Sequence, residues 1–535
     1  MSATGVSTVR LFPEWRSLEP AQGTWKWEHA DALVKAAAQN QIELNAVLMG
    51  STPWAGAKAH AFPMDHLDDW STFVATVVGR YKDQIGYWEV WNEGNGGFND
   101  DHHTTADYAK LAAATYAAAK RANTKAQVGL TVASFDPAYL TQAILAMAKE
   151  GKANSFDYLC IHPYEIADGL ADPNGEIPYL WMTRLLRDML KVSAPQRAGA
   201  EIWITEVGRR LENRPGRLVT EKEAATSLVK LYTMAIAQGI QRTHWFEAQD
   251  PAGEDQGFGL LSRDGTPRAS YKAFKTLTTH LGTAPKYIGW LALGHGGRGY
   301  GFVLQGASTT VLAMWMPKGE TEKALSFEQD VDLVDALSGA VSRVKAAHPI
   351  PLTDAPVFIL GVPADLVATA QGNASKSFPW GGDYSKADAV SVTLGQPDGN
   401  KGVFQVGPQS TPQCTFPDGS TGIIVRGDQP IQFYVHPSFA GFHTQDYYVR
   451  LTVRRLTPGN LGMNFVYEVA DSQGRNPYKN KGQWFSVPAG EGWQTHTWHV
   501  TDACFAKMWG YDLSFRPEQS VPFVIGKVEV STKPF

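Results

Sequence analysis

Short β-rich runs alternate with amphipathic helical stretches over residues 7–281, and this alternation constrains the fold more than any other feature of the sequence. Strands and helices that alternate in this way predict an α/β protein with βα units around a parallel sheet. The predicted strands are Thr8–Phe12, Glu43–Met49, Gly86–Trp91, Gln127–Val132, Phe156–Ile161, Glu201–Thr205 and Arg242–Phe246. The predicted helices are His29–Asn40, Leu67–Tyr81, Thr105–Arg121, Pro137–Lys149, Pro178–Lys191, Glu221–Gln238 and Ser270–Leu281. We therefore expect residues 1–282 to form a (β/α)8 TIM barrel with one strand unaccounted for.

The missing strand is predicted to be the first one. The run Ala3-Thr4-Gly5-Val6 is typical of a helix end that leads straight into the first visible strand. Either the start codon was assigned at an internal Met, or another segment fills the position. As written, the chain does not open with a basic stretch followed by an apolar one, so no export signal is expected in it. A truncated N-terminus would predict a secreted or periplasmic protein, and otherwise a cytoplasmic one is expected.

Beyond the barrel the pattern changes to short β-rich runs bounded by glycine and proline, such as Tyr300–Leu304. These runs predict a small β-sandwich over residues 283–368. The polar stretch 369–383 predicts a linker, and the runs that follow predict a larger β jelly roll over residues 384–535. Two β accessory domains are therefore expected after the barrel.

Composition excludes several classes of function. The chain has 48 Lys and Arg against 53 Asp and Glu, so it lacks the basic field that nucleic acid requires. No run approaches the roughly 18 apolar residues of a membrane helix, so no membrane partner is expected. Three cysteines are too few and too far apart for a disulfide scaffold or a thiolate metal site, although a bridge between Cys414 and Cys504 stays open. The 17 Trp exceed what a core needs, and aromatic faces also stack on flat apolar ligand surfaces.

Two of the predicted strands end in a glutamate, and strand ends are where barrels carry their active sites. The run Trp88-Glu89-Val90-Trp91-Asn92-Glu93 ends one strand, and Ile202-Trp203-Ile204-Thr205-Glu206 ends another, three strands later. Because both strands end at the same rim, Glu93 and Glu206 are expected to converge over one pocket. Two carboxylates about 5 Å apart suit the cleavage of a glycosidic bond with retention of configuration.

The chain resembles the clan A retaining glycoside hydrolases, and family 39 in particular, over about residues 5–281. Asn92-Glu93 at the end of the fourth barrel strand and Glu206 at the end of the seventh carry the resemblance. Gly94 departs from it, because many relatives have Pro there. Other matching segments are Val9-Arg10 through Glu19-Pro20, Gly23, Trp27, His29-Ala30-Asp31, His162-Pro163-Tyr164, Gly257-Phe258-Gly259-Leu260-Leu261 and Tyr271.

The resemblance implies that Glu93 is the acid/base and Glu206 the nucleophile of a double displacement. Neighbours such as Arg10 are expected to keep Glu206 ionised, whereas repulsion between the two carboxylates favours a protonated Glu93. Arg10 has an alternative role as an interior partner only. Glu89 shares strand parity with Glu93 and is predicted to point into the barrel, paired with an inward Arg or a hydroxyl.

The resemblance also implies which residues bind the substrate. Asn92 is expected to donate to the 2-hydroxyl of the sugar, and His162 and Tyr164 are expected to orient Glu206 or the sugar. Trp245 is expected to form a hydrophobic floor under the sugar ring, and Trp54 a wall. For both Trp residues plain packing is an equal alternative.

An oligo- or polysaccharide with β-glycosidic bonds is the expected substrate, and no metal or other cofactor is expected. The Asp and His residues of the loop 94–103 are consecutive rather than spaced for one face, so we predict a substrate-contacting loop and not a metal site. Two alternative functions stay open: an endo-acting glycanase of another clan A family, and a catalytically silent glycan-binding protein. Family 39 includes enzymes that act on xylosides, iduronosides and bacterial exopolysaccharides, so the resemblance does not name the sugar.

Five aromatic residues of the last predicted domain have two explanations. They form either a carbohydrate-binding platform or part of the packing between the two sheets, and packing is favoured. Alternation over Thr495–Val500 supports packing for one of them. The five residues are Trp484, Trp493, Trp498, Trp509 and Tyr511.

Overall fold

The chain forms two compact units. The first holds Met1–Ala167 and Met182–Phe378, and the second holds Asp168–Trp181 and nearly all residues from Pro379 to Phe535. The computed structural model describes residues 2–56, 58–214, 217–253, 256–407, 412–426, 429–441, 445–459, 461–470, 476–488, 492–517 and 521–535.

Residues up to Leu281 form strands that alternate with helices, as predicted. The strands are β1 Thr8–Leu11, β2 Glu43–Leu48, β3 Tyr87–Val90, β4 Gln127–Ala133, β5 Tyr158–His162, β6 Glu201–Val207, β7 Glu212–Arg214, β8 Arg217–Val219 and β9 Arg242–Trp245. The helices are α1 Trp15–Leu18, α2 Glu28–Gln39, α3 Leu67–Arg80, α4 Thr105–Ala122, α5 Pro137–Lys149, α6 Tyr164–Asp168, α7 Glu176–Ser193, α8 Glu221–Ala237 and α9 Ala269–Leu281. Strands β7 and β8 pair only with each other, and the other strands form one parallel sheet.

The parallel sheet has the strand order β1-β2-β3-β4-β5-β6-β9 and the form of a TIM barrel with seven strands. Its buried strands pair in register, for example Trp88 with Val128, and are apolar on both faces because helices cover the outside. Each long predicted helix is present. The helices α4 and α8 begin with capping boxes at Thr104 and Thr220, which satisfy amides that an open helix end would leave unpaired.

The sheet is open between β1 and β9, as the strand count predicts. The residues of β1 are only partly buried, whereas those of β5 are buried. A cavity of about 850 Å³ lies between the two edge strands, lined by β1, β9, α8 and α9. The expected helix end before β1 is one 3-10 turn, Ser2–Thr4, followed by Gly5 with φ 74°, a conformation that glycine adopts without strain.

The first unit continues into a small β region. Its elements are β10 Lys286–Leu293, β11 Gly299–Gln305, β12 Thr310–Trp315, β13 Glu322–Leu325, β14 Val331–Asp335, β15 Val341–Val344, β16 Ile350–Leu352, β17 Val357–Leu360 and α10 Ala364–Asn373. Six of these strands form one antiparallel sheet, and the pair β13–β16 packs on it through a shared apolar core.

Helix α10 corrects one prediction, because the linker expected at 369–383 begins inside it. The sequence Ala364–Asn373 is rich in alanine, and the helix begins directly after Pro363. Gly289 allows the helix to approach β10 closely, since a Cβ there would lie 1.8 Å from the carbonyl oxygen of Ala370.

The second unit is a two-sheet β-sandwich of the jelly-roll type. Its elements from Pro379 onward are β18 Ala389–Thr393, β19 Asn400–Lys401, β20 Val403–Val406, β21 Gln413–Thr415, β22 Thr421–Val425, β23 Ile431–Val435, α11 Pro437–Ala440, β24 Gln445–Arg455, β25 Gly462–Glu468, β26 Tyr478–Asn480, β27 Phe485–Ser486, β28 Gln494–Ala503, β29 Leu513–Pro517 and β30 Phe523–Ser531. One sheet holds β18, β19, β21, β22, β24, β28 and β30. The other holds β20, β23, β25, β26, β27 and β29. Alternate residues of both sheets form one large core, with Phe465, Trp498 and Phe515 at its centre.

Two further observations concern the described part of the chain. None of its helices combines the length and the apolar character that crossing a membrane requires. The thiols of Cys160 and Cys414 are not in disulfides, so the bridge left open between Cys414 and Cys504 is not formed.

Candidate active site

Glu93 and Glu206 reach the same rim of the barrel from two strands, β3 and β6, that are three positions apart in the sheet. Glu93 lies three residues beyond the end of β3, where Trp91 and Glu93 have φ of 59° and 47° and the strand gives way to a turn. Glu206 is the sixth residue of β6. An oxygen of each carboxylate and a ring nitrogen of His162 all lie within 4.8 Å of one another. The predicted convergence is therefore present in the structure.

Two donors hold the carboxylate of Glu206. Arg10, on β1, donates from Nη1 to Oε2 at 2.8 Å, and the hydroxyl of Tyr164 donates to Oε1 at 2.7 Å. Burial raises the pKa of Tyr164 well above its usual value, so the phenol keeps the proton that it donates. The rings of Phe246 and Phe258 pack edge-on against Tyr164. Each oxygen of Glu206 thus has its own donor, which fixes the orientation of the carboxylate.

Arg10 is itself positioned by Glu89, which is fully buried. The guanidinium donates to both oxygens of Glu89, from Nε at 3.0 Å and from Nη2 at 2.8 Å. Burial raises the pKa of the Glu89 carboxyl, but the charge and hydrogen bonds of Arg10 lower it more, so Glu89 is ionised. Burial lowers the pKa of Arg10, and the charge of Glu89 reverses this and raises it overall. Arg10 therefore serves both roles left open for it, as the interior partner of Glu89 and as a donor to Glu206.

Asn92 is joined to the same guanidinium. Its Oδ1 accepts a hydrogen bond from Nη2 of Arg10 at 2.9 Å, and the residue is buried. Because the carbonyl end of the amide is used in this way, Nδ2 is the end that is left to donate to a ligand. This orientation agrees with the expectation that Asn92 donates to a sugar hydroxyl.

The structure places His162 against Glu93, whereas the expected partner was Glu206 or the sugar. Its Nδ1 lies 2.7 Å from Oε1 of Glu93 and 3.9 Å from Oε2 of Glu206, so it orients Glu93 rather than Glu206. Its Nε2 lies 3.0 Å from the hydroxyl of Thr205. The ring is completely buried, and it is therefore held in place from both nitrogens.

The contact with His162 gives Glu93 a pKa different from the one expected. Burial raises the pKa of the Glu93 carboxyl, but the hydrogen bond and charge of His162 and the charge of Arg10 lower it more. The pKa of the Glu93 carboxyl therefore lies below its usual value, whereas the repulsion expected from Glu206 would have raised this pKa. The sequence could not reveal this, because residues 93 and 162 meet only in the folded barrel.

The two predicted tryptophans lie outside the hydrogen-bonded network. Trp245 donates from Nε1 to the carbonyl of Phe258 at 3.1 Å and lines the cavity together with Arg10 and Glu206. Trp54 donates to the carbonyl of Glu19 at 3.1 Å and packs edge-on against a neighbouring Trp at 5.2 Å. Both rings are half-buried. Their expected roles as floor and wall of a sugar subsite stay predictions.

The acidic residues of the loop 94–103 pair with a side chain and a backbone amide of another loop. Asp101 lies 2.6 Å from Nζ of Lys58, and Asp100 accepts a hydrogen bond from the amide of His60 at 3.0 Å. Among the described residues, the one group of three side chains that could hold a metal ion is Glu93, His162 and Glu206. Both oxygens of Glu206 already accept hydrogen bonds from protein donors, so this group of side chains suits proton transfer better than the binding of a cation.

Sequence reasoning missed three polar residues that support the site. Asn45 and Thr131 donate to the oxygens of Glu89, and Thr205 contacts both Glu89 and His162. Each is a polar residue within an apolar strand of the barrel. That pattern was the available signal, since a buried polar side chain needs a partner.

One segment near the start of the chain matches the sequence model of a known family. The sequence model of Glycosyl hydrolase family 10 matches residues 12–131, which include Glu93. Endo-1,4-beta-xylanase A of Halalkalibacterium halodurans is 29% identical over 123 residues, which cover 18% of this chain and 30% of that protein. Endo-1,4-beta-xylanase 3 of Hypocrea jecorina is 38% identical over 92 residues, which cover 16% and 25%. The chain thus spans less than a third of the length of these relatives.

A solved structure is similar over a larger part of the chain. A family 39 glycoside hydrolase from the gut symbiont Bacteroides cellulosilyticus WH2 superposes with a TM-score of 0.54. The two chains are 19% identical, and the superposition covers 68% of this chain and 76% of that one. At this identity the similarity concerns the fold, which is the TIM barrel followed by β domains.

Proposed function

We propose that this chain, whose barrel belongs with the clan A glycoside hydrolases, hydrolyses β-glycosidic bonds of an oligo- or polysaccharide with retention of configuration. The convergence of Glu93 and Glu206, with oxygens within 4.8 Å of each other, is the observation that carries the proposal. Carboxyl groups about 5–5.5 Å apart are typical of retaining enzymes, because an inverting enzyme needs room for a water molecule between carboxylate and sugar.

In the first step, Glu206 attacks the anomeric carbon and the bond to the leaving oxygen breaks. The reaction starts from protein in which Glu93 is protonated, a form that the lowered pKa of Glu93 makes a minority near neutral pH. Glu93 donates this proton to the leaving oxygen, and a glycosyl ester forms on Glu206. Arg10 and Tyr164 hold the attacking carboxylate by its two hydrogen bonds. Nδ2 of Asn92 donates to the 2-hydroxyl as positive charge develops on the ring.

In the second step, Glu93 has lost its proton and acts as a base. It removes a proton from a water molecule, which attacks the anomeric carbon and releases Glu206. His162, at 2.7 Å, keeps the Glu93 carboxyl oriented through both steps. The sugar leaves in the configuration that it had in the substrate.

A xylan-type β-1,4-linked glycan is the first substrate to test. The family 10 match and the xylanases among the relatives support this choice. Their similarity lies in the part of the barrel that carries Glu93. Glu206, Tyr164 and Trp245 lie outside that match, so related β-glycans belong in the same test.

The proposal is tested with Glu206→Gln and the configuration of the first product. Wild-type protein should release the β-anomer first, as followed by proton NMR during hydrolysis. Glu206→Gln should fall below about one thousandth of the wild-type rate, because an amide cannot form the glycosyl ester. Glu201→Gln is the matched control on the same strand, since Glu201 lies at the opposite end of β6. A first product with the α-configuration, or substantial activity in Glu206→Gln, would contradict the proposal.

A further inference from the structure

Of the five aromatic residues of the second unit for which two explanations were open, the four Trp residues separate into two groups in the structure, and Tyr511 is partly buried. Trp498 is fully buried in the sandwich core, and Trp493 packs against Phe416 and donates to the hydroxyl of Ser420. Trp484 and Trp509, by contrast, are 42% and 43% exposed. Packing therefore explains the first two and does not explain the exposed pair.

Trp484 lies on the outer face of the sheet that contains β25. Met463 and Phe465 of this strand point into the core, so Gly462 and Asn464 face outward. A Cβ on Gly462 would lie 2.0 Å from Cζ2 of Trp484, which places the indole directly over the α-carbon of this glycine. One face of the indole thus rests on the strand, and the ring remains open to solvent.

Polar side chains lie beside this indole on the same face. Asn464 pairs across the sheet with Arg516 of β29, which is exposed. Arg516 in turn donates from Nη2 to the hydroxyl of Tyr511 at 3.2 Å. An amide, a guanidinium and a phenol therefore form a row that begins next to Trp484.

The second exposed indole lies beyond the other end of this row. The ring of Tyr511 stacks on Tyr478 at 4.2 Å, and Trp509 packs against Tyr478 at 5.8 Å. Tyr478 pairs with Glu468, six residues along β25 from Gly462, which is a distance of about 20 Å along the strand. The two exposed indoles thus lie at the ends of an extended strip with polar groups between them.

We propose that this strip, formed by Trp484, Asn464, Arg516, Tyr511 and Trp509, is a glycan-binding surface separate from the catalytic carboxylates. Flat aromatic faces stack on the apolar faces of sugar rings, and amide and guanidinium groups bond to sugar hydroxyls. A length of about 20 Å suits a chain of several sugars rather than a single ring. A protein partner would instead require a continuous apolar patch, and here the exposed indoles are separated by polar side chains.

The inference goes beyond the proposed reaction, because it concerns the second unit and does not need catalysis. Binding is measured by native affinity electrophoresis in gels that contain arabinoxylan, hydroxyethyl cellulose or galactomannan. The protein carries Glu206→Gln throughout, so that the polysaccharide stays intact if the barrel is active. A protein without hydrolytic activity can still bind a polysaccharide in this assay. Failure of the proposed reaction is therefore distinguishable from failure of the proposed binding surface.

Trp484→Ala should weaken retardation by at least one of the three polysaccharides tenfold or more. Gly462→Ala should have a similar effect with Trp484 still present, because the new Cβ displaces the indole. Leu456→Ala is the matched control, since Leu456 is an exposed apolar residue of the same unit with 40% exposure. It should change binding less than twofold. Thermal unfolding of each variant shows whether the sandwich is intact.

A second readout separates this surface from the barrel. In a chain with Glu206 intact, Trp484→Ala should leave kcat/KM for a small aryl β-glycoside within twofold of wild type. Absence of binding to all three polysaccharides overturns the inference. The inference is also overturned if Trp484→Ala and Gly462→Ala leave the retardation unchanged, or if Leu456→Ala weakens it equally. A dimer that is seen in sedimentation and that Trp484→Ala abolishes would overturn it as well.

Discussion

One guanidinium group donates hydrogen bonds to three polar side chains in the candidate active site. Arg10 donates to Glu89, Asn92 and Glu206, and its bonds to Glu89 fix the plane of the guanidinium. Glu93 instead contacts the imidazole of His162 at 2.7 Å. Since both oxygens of Glu206 accept hydrogen bonds from Arg10 and Tyr164, Glu93 is the carboxyl group that we expect to transfer the proton.

The role of Glu93 as proton donor predicts how Glu93→Ala affects substrates with different leaving groups. A phenol with a low pKa leaves without protonation, whereas a sugar alcohol needs the proton that Glu93 supplies. The variant should therefore lose about 10²–10⁴-fold on poor leaving groups and far less on dinitrophenyl glycosides. Steady-state rates on a series of aryl glycosides measure this, and azide should restore turnover with a β-glycosyl azide as product. Equal losses across the series would remove Glu93 from the acid/base role.

The contact with His162 predicts a shift in the pH profile. His162 lowers the pKa of the Glu93 carboxyl against burial, which raises it. In His162→Ala the burial remains and the lowering contact is gone, so the pKa of Glu93 should rise. The acid form then persists to higher pH, and the alkaline limb of kcat/KM should move to higher pH. His348→Ala, on an exposed histidine of the small β region, is the control. A limb that stays in place or moves to lower pH would show that His162 does not set this pKa.

Among the elements, the strands and the long helices of the barrel were predicted most closely, with ends within two residues of those observed. Apolar β-rich runs bounded by polar residues define a buried parallel strand locally. The helix α10 was missed, because its last residues, Gln371, Gly372 and Asn373, are typical of a polar linker, and its packing on β10 depends on Gly289. Local pattern thus identified the elements with a strong apolar signal, whereas α10 depends on a tertiary contact.

The open edge of the sheet predicts uneven hydrogen exchange. Amides of β1 and β9 that face the gap have no ladder partner among the described strands, whereas both edges of β4 are paired. Peptides that cover β1 and β9 should therefore exchange roughly tenfold faster or more than peptides that cover β4. Hydrogen exchange followed by mass spectrometry makes the comparison within one sample. Equal protection of β1 and β4 would mean that another segment covers the edge.

At the scale of the whole molecule, the two units have separate cores. Trp498 is fully buried in the sandwich of the second unit, where it packs on Phe465 and Phe515. The residues that carry the proposed reaction all lie in the first unit. A change in the sandwich core should therefore lower stability without changing catalysis.

This separation is tested with Trp498→Ala. Loss of a buried Trp costs about 3–5 kcal/mol, which in a domain of this size lowers the melting temperature by about 6–20 °C. Calorimetry should show two transitions, of which only one moves, and kcat at 25 °C should stay within twofold of wild type. Trp484→Ala, which removes an exposed indole, should leave both transitions nearly unchanged. One transition, or two that fall together, would show that the units unfold as a single block.

The sequence alone determined the barrel, the jelly roll and the two glutamates at strand ends. Each follows from local pattern, because periodicity shows which face of an element is buried and the strand end shows where a side chain reaches the rim. Only the tertiary structure decided which partner each site residue has. Glu89 and Arg10 are separated by 79 residues, and Glu93 and His162 by 69, so no local pattern relates them. It also decided that Trp498 is core and Trp484 is surface, because the burial of a large aromatic side chain depends on what the rest of the chain places over it.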